Sequence, residues 1–137
     1  MRAFVDTSSL FKKYVEENGA EEFNRLLDSV FDIIVSPVTI LELHSILERR
    51  LREKTLLRAD AQWVEKEFQA DYQYFGVVEW NDSLLKESIR VVRRHQLRVL
   101  DGIQLASGLL AGPSLFITSD RKLYDAAIKE LPSVKLV

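Results

Sequence analysis

The 137-residue sequence contains no cysteine and only two histidines, His44 and His95. The first absence excludes a disulfide framework and a thiolate zinc site. The second leaves too few imidazoles for a histidine-rich zinc or iron site. Any metal would rest on oxygen ligands, which favours magnesium or manganese. No apolar run is long enough to span a bilayer, because charges interrupt each one early, and no membrane partner is expected. Asp6 falls too early for a signal peptide, so a cytoplasmic protein is expected. No glycine-rich segment carries Lys-Ser or Lys-Thr, which excludes a phosphate-cradling loop. Internal repeats, low-complexity tracts and linkers are missing too, and residues 1–137 read as one domain.

What is present suits a folded core: 47% hydrophobic and 29% charged residues. A net charge of −2 and a pI near 5.7 count mildly against a nucleic-acid partner. The basic residues are clustered, however: Arg49, Arg50, Arg52, Lys54 and Arg58 in one group, Arg90, Arg93, Arg94, His95 and Arg98 in another. Local basic faces matter more to phosphate contact than the sum does. Each cluster also fits a solvated helix face.

Short apolar strands alternate with helical stretches. Ala3-Phe4-Val5 reads as a buried strand ending on Asp6, and Leu10, Phe11, Tyr14 and Val15 recur with helical spacing. A second helix is expected over 20–28 and a β-branched strand at Ile33-Ile34-Val35. Ser36-Pro37 reads as a helix start, with the helix running to about Lys54. Further helices are expected over 58–74, from Asn81 or Asp82 onward, over 101–110 and over 122–131. Val77-Val78, Leu115–Thr118 and Val134–Val137 read as strands, the last at an edge. The alternation predicts an α/β fold: a three-layer sandwich whose central, mostly parallel sheet is flanked by helices.

Functional crevices of open parallel sheets lie at the carboxyl ends of strands. Asp6 and Asp120 fall there, although each also reads as the cap of the helix that follows. Glu42 stands among apolar neighbours, Val38 to Leu43, where a buried carboxylate is costly unless it is paired or bound to a cation. Its alternatives are a salt bridge to Arg49 or Arg50, or exposure. Asp101 with Gln104 three residues later looks like a capping box, and Gly102 and Ala106 would let that helix approach a neighbour closely. Taken together, the four acids make a plausible magnesium-class site, with Thr7, Ser8, Thr118 and Ser119 able to orient waters or carboxylates.

The run Val5–Phe11, the Glu42 helix, Leu100-Asp101 with Leu105-Ala106, and Ile117–Leu123 resemble the PIN domain, and in particular VapC-type toxins of toxin–antitoxin pairs. The resemblance covers essentially the whole chain. It implies a PIN-like fold, Mg2+- or Mn2+-dependent RNA cleavage, a homodimer, and an antitoxin whose peptide segment occupies the groove near the acids. Carried over to this sequence, Asp6, Glu42, Asp101 and Asp120 take metal-binding and catalytic roles, and Ser8 and Thr118 support them by hydrogen bonding. Asp125 is either an accessory acid or a solvated helix residue. The alternatives are a PIN nuclease for RNA maturation and a non-catalytic binding module; missing acids would mark the latter, and all are present. An aspartyl-nucleophile phosphatase would want an acid at position 8, which is Ser8. Trp63, Phe68, Tyr72, Tyr74 and Phe75 fit core or dimer packing better than base stacking, and His44 a structural or partner contact.

Overall fold

A computed structural model describes residues 1–137. Its first strand, β1 (Arg2–Val5), sends Ala3 and Val5 into one apolar core and Phe4 into another. Alternate side chains of a strand face opposite ways, so a strand buried on both faces is apolar throughout. The remaining elements follow as α1 (Thr7–Phe11), α2 (Ala20–Leu27), β2 (Asp32–Val35), α3 (Thr39–Arg52), α4 (Arg58–Tyr72), β3 (Gly76–Val77), α5 (Asp82–His95), α6 (Val99–Ala111), β4 (Leu115–Thr118), α7 (Arg121–Ala127) and β5 (Val134–Leu136). All strand pairs are parallel, in the order β3-β2-β1-β4-β5. Phe4 aligns with Ile34 on one side and Phe116 on the other.

That order sends the chain outward from β1 to β2 and β3, then back across to β4 and β5. The switch point therefore lies between β1 and β4, beside Asp6 and Thr118. Helices α1 to α4 bury Leu10, Phe23, Leu43, Leu47, Val64 and Phe68 against the face bearing Val5, Val35 and Ile117. Helices α5 to α7 bury Leu84, Val91, Leu105 and Leu123 against the face bearing Phe4, Ile34 and Phe116. No helix is long and apolar enough to cross a membrane.

Close packing on the second face depends on glycine. A Cβ at Gly108 would stand 2.4 Å from Phe116 Cε2, and that ring is stacked on Phe4 with centroids 5.1 Å apart. The stacked rings have no room to yield. Gly108→Ala is expected to destabilise the fold by about 1–3 kcal/mol through overpacking. Urea denaturation measures this, and an unchanged midpoint would contradict it. Gly102 faces Val92 in the same manner, a Cβ there lying 2.2 Å from Val92 Cγ2, so α6 does approach α5 closely.

Helix boundaries differ from expectation in informative places. Ser36 does not cap the helix: its Oγ accepts from Val38 N–H at 3.1 Å and its carbonyl from Thr39 N–H at 3.1 Å. Residues 36–38 thus form a turn, and α3 begins at Thr39. Helix α6 begins at Val99, two residues before Asp101, and α7 ends at Ala127, followed by short turns to Leu131. Asn81 caps α5 as expected, accepting from Leu84 N–H at 3.0 Å.

The second basic cluster is largely structural. Glu130, beyond α7, accepts from Arg90 at 3.0 and 3.2 Å and meets His95 Nε2 at 2.7 Å, with Arg94 3.6 Å away. Arg90 foremost, then His95, holds the Glu130 carboxyl below its ordinary value. This stabilising share is present above the ordinary glutamate value and lost as pH falls through the depressed one. Glu130→Gln is expected to cost about 1 kcal/mol, because Arg90 is partly exposed and screened. Its melting temperature should also vary less with pH on the acid side than that of the wild type.

Candidate active site

Asp6 follows β1 directly and is 3% exposed. Its Oδ1 accepts from Ser9 N–H at 2.8 Å, making it the cap of α1, and from Ser8 Oγ at 3.1 Å. Its Oδ2 accepts from Thr118 Oγ1, at the end of β4, and from Ser8 at 3.2 Å. The two central strands are thus tied together at their carboxyl ends through this one carboxylate. Burial raises the Asp6 carboxyl above its ordinary value, and the donors Thr118, Ser9 and Ser8 only partly oppose it.

Asp120 begins α7 on the neighbouring strand end. It accepts from Leu123 N–H at 3.0 Å, while its own N–H donates to Thr118 Oγ1 at 3.0 Å. Capping and a place at the site are therefore compatible for both aspartates. Ser9 and Ser119 hydroxyls also meet, at 2.8 Å, across the two loops.

Glu42 stands in the first turn of α3 and makes neither of the alternative salt bridges. Arg50 is drawn to Glu17 at 2.6 Å and lies over the Phe11 ring, and Arg49 pairs with no carboxylate. Glu42 instead accepts from Thr7 Oγ1 at 3.0 Å and Gln104 Nε2 at 2.6 Å. Burial raises its carboxyl, Gln104 and Thr7 oppose the rise, and the charges of Asp6 and Asp101 add to it.

The capping-box expectation for Asp101 fails. Asp101 is the third residue of α6, whose cap position is Arg98, and its side chain caps nothing. Gln104 turns inward to Glu42 and Thr7 rather than back along the helix. Burial raises the Asp101 carboxyl, and the charges of Asp120 and Asp6 raise it further against Arg98 and Lys122.

The four acids are thus linked electrostatically through Asp101, which faces the charges of Asp120 and Asp6, while Glu42 faces those of Asp6 and Asp101. None is within 4.0 Å of a lysine, arginine or histidine nitrogen, whereas eleven other pairs in the chain are. Repelling, partly desolvated carboxylates without a protein cation fit a divalent ion bound through oxygen. No three acidic or histidine side chains are already converged at metal-holding spacing. A magnesium-class ion keeps several waters and takes only one or two carboxylates directly, so this looser arrangement suits it.

Glu42, Asp101 and Asp120 line a groove of about 650 Å³ together with Leu41, Ser45, Ile46, Arg49, Arg98, Val99 and Leu100. The groove combines acids, two arginines free of carboxylate partners, and an exposed apolar wall of Leu41, Val99 and Leu100. Other residues fall away from it. Asp125 is exposed and paired with Arg121 at 3.2 Å, and His44 faces Glu65 at 4.0 Å. Phe68 is core, Tyr72 and Phe75 pack against it, and Trp63 and Tyr74 are exposed. Sequence reasoning did not assign Gln104 to the site. The available signal was an amide inside the otherwise apolar stretch Ile103–Ala106.

A parallel sheet covered on both faces, with acids gathered at its switch point, is an α/β fold built around a carboxylate cluster. The model of the PIN domain matches residues 3–129. The chain belongs to the PIN domain family. PIN domains are nucleases and generally use divalent metal ions. The fold is similar to PAE2754 from Pyrobaculum aerophilum at 20% identity and TM-score 0.69, over 96% of this chain and 88% of that one. It is also similar to a toxin–antitoxin complex from Klebsiella pneumoniae, at 17% identity and TM-score 0.67, over 97% and 95% of the two chains. VapBC2 from Rickettsia felis, bound to a promoter DNA fragment, matches at 10% identity and TM-score 0.65, over 100% and 99%. Curated protein sequences give no significant match.

Proposed function

We propose that the chain, one PIN domain over residues 1–137, is a metal-dependent endoribonuclease and the toxin of a type II toxin–antitoxin pair. The observation that carries the nuclease reading is the gathering of Asp6, Glu42, Asp101 and Asp120, brought from four separate places, with none of them in an ion pair. Mg2+ or Mn2+ is the ion this oxygen-only set suits. When bound, it supplies Lewis acidity toward water and toward the phosphodiester oxygens.

Asp6 and Asp101 are the principal ligands. Ser8 and Thr118 hold the Asp6 carboxylate in one orientation, which keeps it pre-organised. Asp120 commits one oxygen to the Leu123 N–H and keeps the other for orienting the attacking water. As the water oxygen bonds phosphorus, the bond to the leaving ribose oxygen breaks; the water's proton passes to a carboxylate, and the leaving oxygen takes a proton from solvent. Arg49 and Arg98, on the groove wall, hold flanking phosphates and position the strand without reading its bases.

The toxin reading is supported by similarity over nearly full length to PIN chains solved in toxin–antitoxin complexes. The apolar groove wall suits an antitoxin peptide segment. A homodimer suits the exposed face of Trp80, Leu85, Ile89 and Val99. A cytoplasmic setting accords with an RNA substrate. The experiment is cleavage of total RNA by the purified chain with Mg2+ or Mn2+. Activity that survives EDTA, or no activity with either ion, would sink the proposal. Growth arrest on induction, relieved by a small upstream gene, separates a toxin from a maturation nuclease.

A further inference from the structure

Gln104 is 2% exposed on α6 and is held on one side only. Its Nε2 donates to Glu42 Oε1 at 2.6 Å and to Thr7 Oγ1 at 2.9 Å, with Thr39 Oγ1 farther off at 3.5 Å. Thr7 Oγ1 in turn donates to the same Glu42 Oε1 at 3.0 Å. Both amide hydrogens and the Thr7 hydroxyl hydrogen are thereby used. Glu42 Oε1 receives two donors, which fills its lone pairs, and no protein group donates to Oε2.

The other end of the amide finds nothing: Gln104 Oε1 is buried and accepts no hydrogen bond. A buried acceptor without a donor lowers stability, and an apolar side chain of similar size would avoid that loss. Turning the amide over would set its carbonyl oxygen against the Glu42 carboxylate. The observed orientation serves Glu42 at the expense of the amide itself.

We propose that Gln104 is a positioning residue which, with Thr7, pins Glu42 Oε1 so that Glu42 would present only Oε2 toward the divalent ion and its waters. The inference rests on the metal-site reading above. Neither residue would touch the ion; both fix the side chain that faces it.

The test is Mn2+ affinity of the full-length, metal-free protein, by electron paramagnetic resonance of free Mn2+ or by calorimetry. Wild type is compared with Gln104→Met, Thr7→Val, Glu42→Gln and the double variant Gln104→Met/Glu42→Gln. Gln104→Met and Thr7→Val should each weaken Mn2+ binding by about 10-fold or more, as loss of a group orienting a ligand does. The double variant should bind no worse than Glu42→Gln, because Gln104 acts only through Glu42. Wild-type affinity with a lowered melting temperature, or losses that add in the double variant, would mean a packing role and overturn the inference. Should Gln104→Met fail to fold, Thr7→Val removes the other donor from the same oxygen without touching α6. Wild-type affinity in that variant would overturn it equally. A wild type that does not bind Mn2+ at all would instead remove the underlying metal site, and the inference with it.

Discussion

Asp101→Asn is expected to lower RNA cleavage by about 10³-fold or more, since ion-assisted charge stabilisation is worth several kcal/mol and about 4 kcal/mol corresponds to that factor. The same variant should fold as well as the wild type. Asp101 caps no helix, accepts no hydrogen bond from the protein and forms no ion pair. It stands instead beside Asp120 and Asp6, whose charges raise its carboxyl. An amide of the same shape removes one of these repelling charges and breaks nothing. Asp6→Asn should be equally inactive, but it keeps only one of the two acceptor oxygens that serve Ser9 N–H and Thr118 Oγ1, so about 1 kcal/mol of stability goes with it. The comparison separates chemistry from folding: cleavage rates in Mn2+ are read beside melting curves. Cleavage by Asp101→Asn within tenfold of wild type would remove Asp101 from the site.

Asp101 also shows where sequence was legible and where it was not. The apolar runs at β1, β2 and β4 declare buried parallel strands, because each is sandwiched and needs no polar alternation. Strand ends then locate Asp6 and Asp120 without any knowledge of distant contacts. At α6 local spacing misleads. Asp101 and Gln104 fit a capping box, but the helix begins at Val99, capped by Arg98 with no side-chain bond. A start two residues earlier turns Gln104 toward Glu42 and Thr7, 62 and 97 positions away in the chain. The basic clusters are mixed for the same reason. Glu130 recruits Arg90 and His95 from 40 and 35 residues away, and Glu17 recruits Arg50 from 33. Arg49 and Arg98 are left free beside the acids. Pairing across such separations is a property of the packed chain, and local pattern carries no trace of it.

Saturating the metal-free protein with Mn2+ should raise its melting temperature by roughly 10 °C, the shift expected when about 2.7 kcal/mol is gained at a hundredfold excess over Kd in a chain of this size. The size of that rise should depend on pH in a direction the site dictates. Asp6, Glu42 and Asp101 all have carboxyls raised in the folded chain, chiefly by burial. Their contribution to metal-free stability is fully present below the ordinary carboxylate range and is lost as pH rises through the raised values. Glu130 runs the opposite way, so Glu130→Gln exposes the contribution of the site alone. Metal binding needs these carboxylates ionised, so Mn2+ should restore most stability where ionisation removes most. The Mn2+-induced rise should therefore grow from acid to neutral pH in the wild type and be sharply reduced in Asp101→Asn. Differential scanning calorimetry with and without Mn2+ measures both. An equal rise in the two proteins, or one that does not shrink toward acid pH, would place the ion somewhere other than among these four residues. With the expected result, burial of the ionised carboxylates, with repulsion at Glu42 and Asp101 added, is both what destabilises the empty site and what the ion relieves.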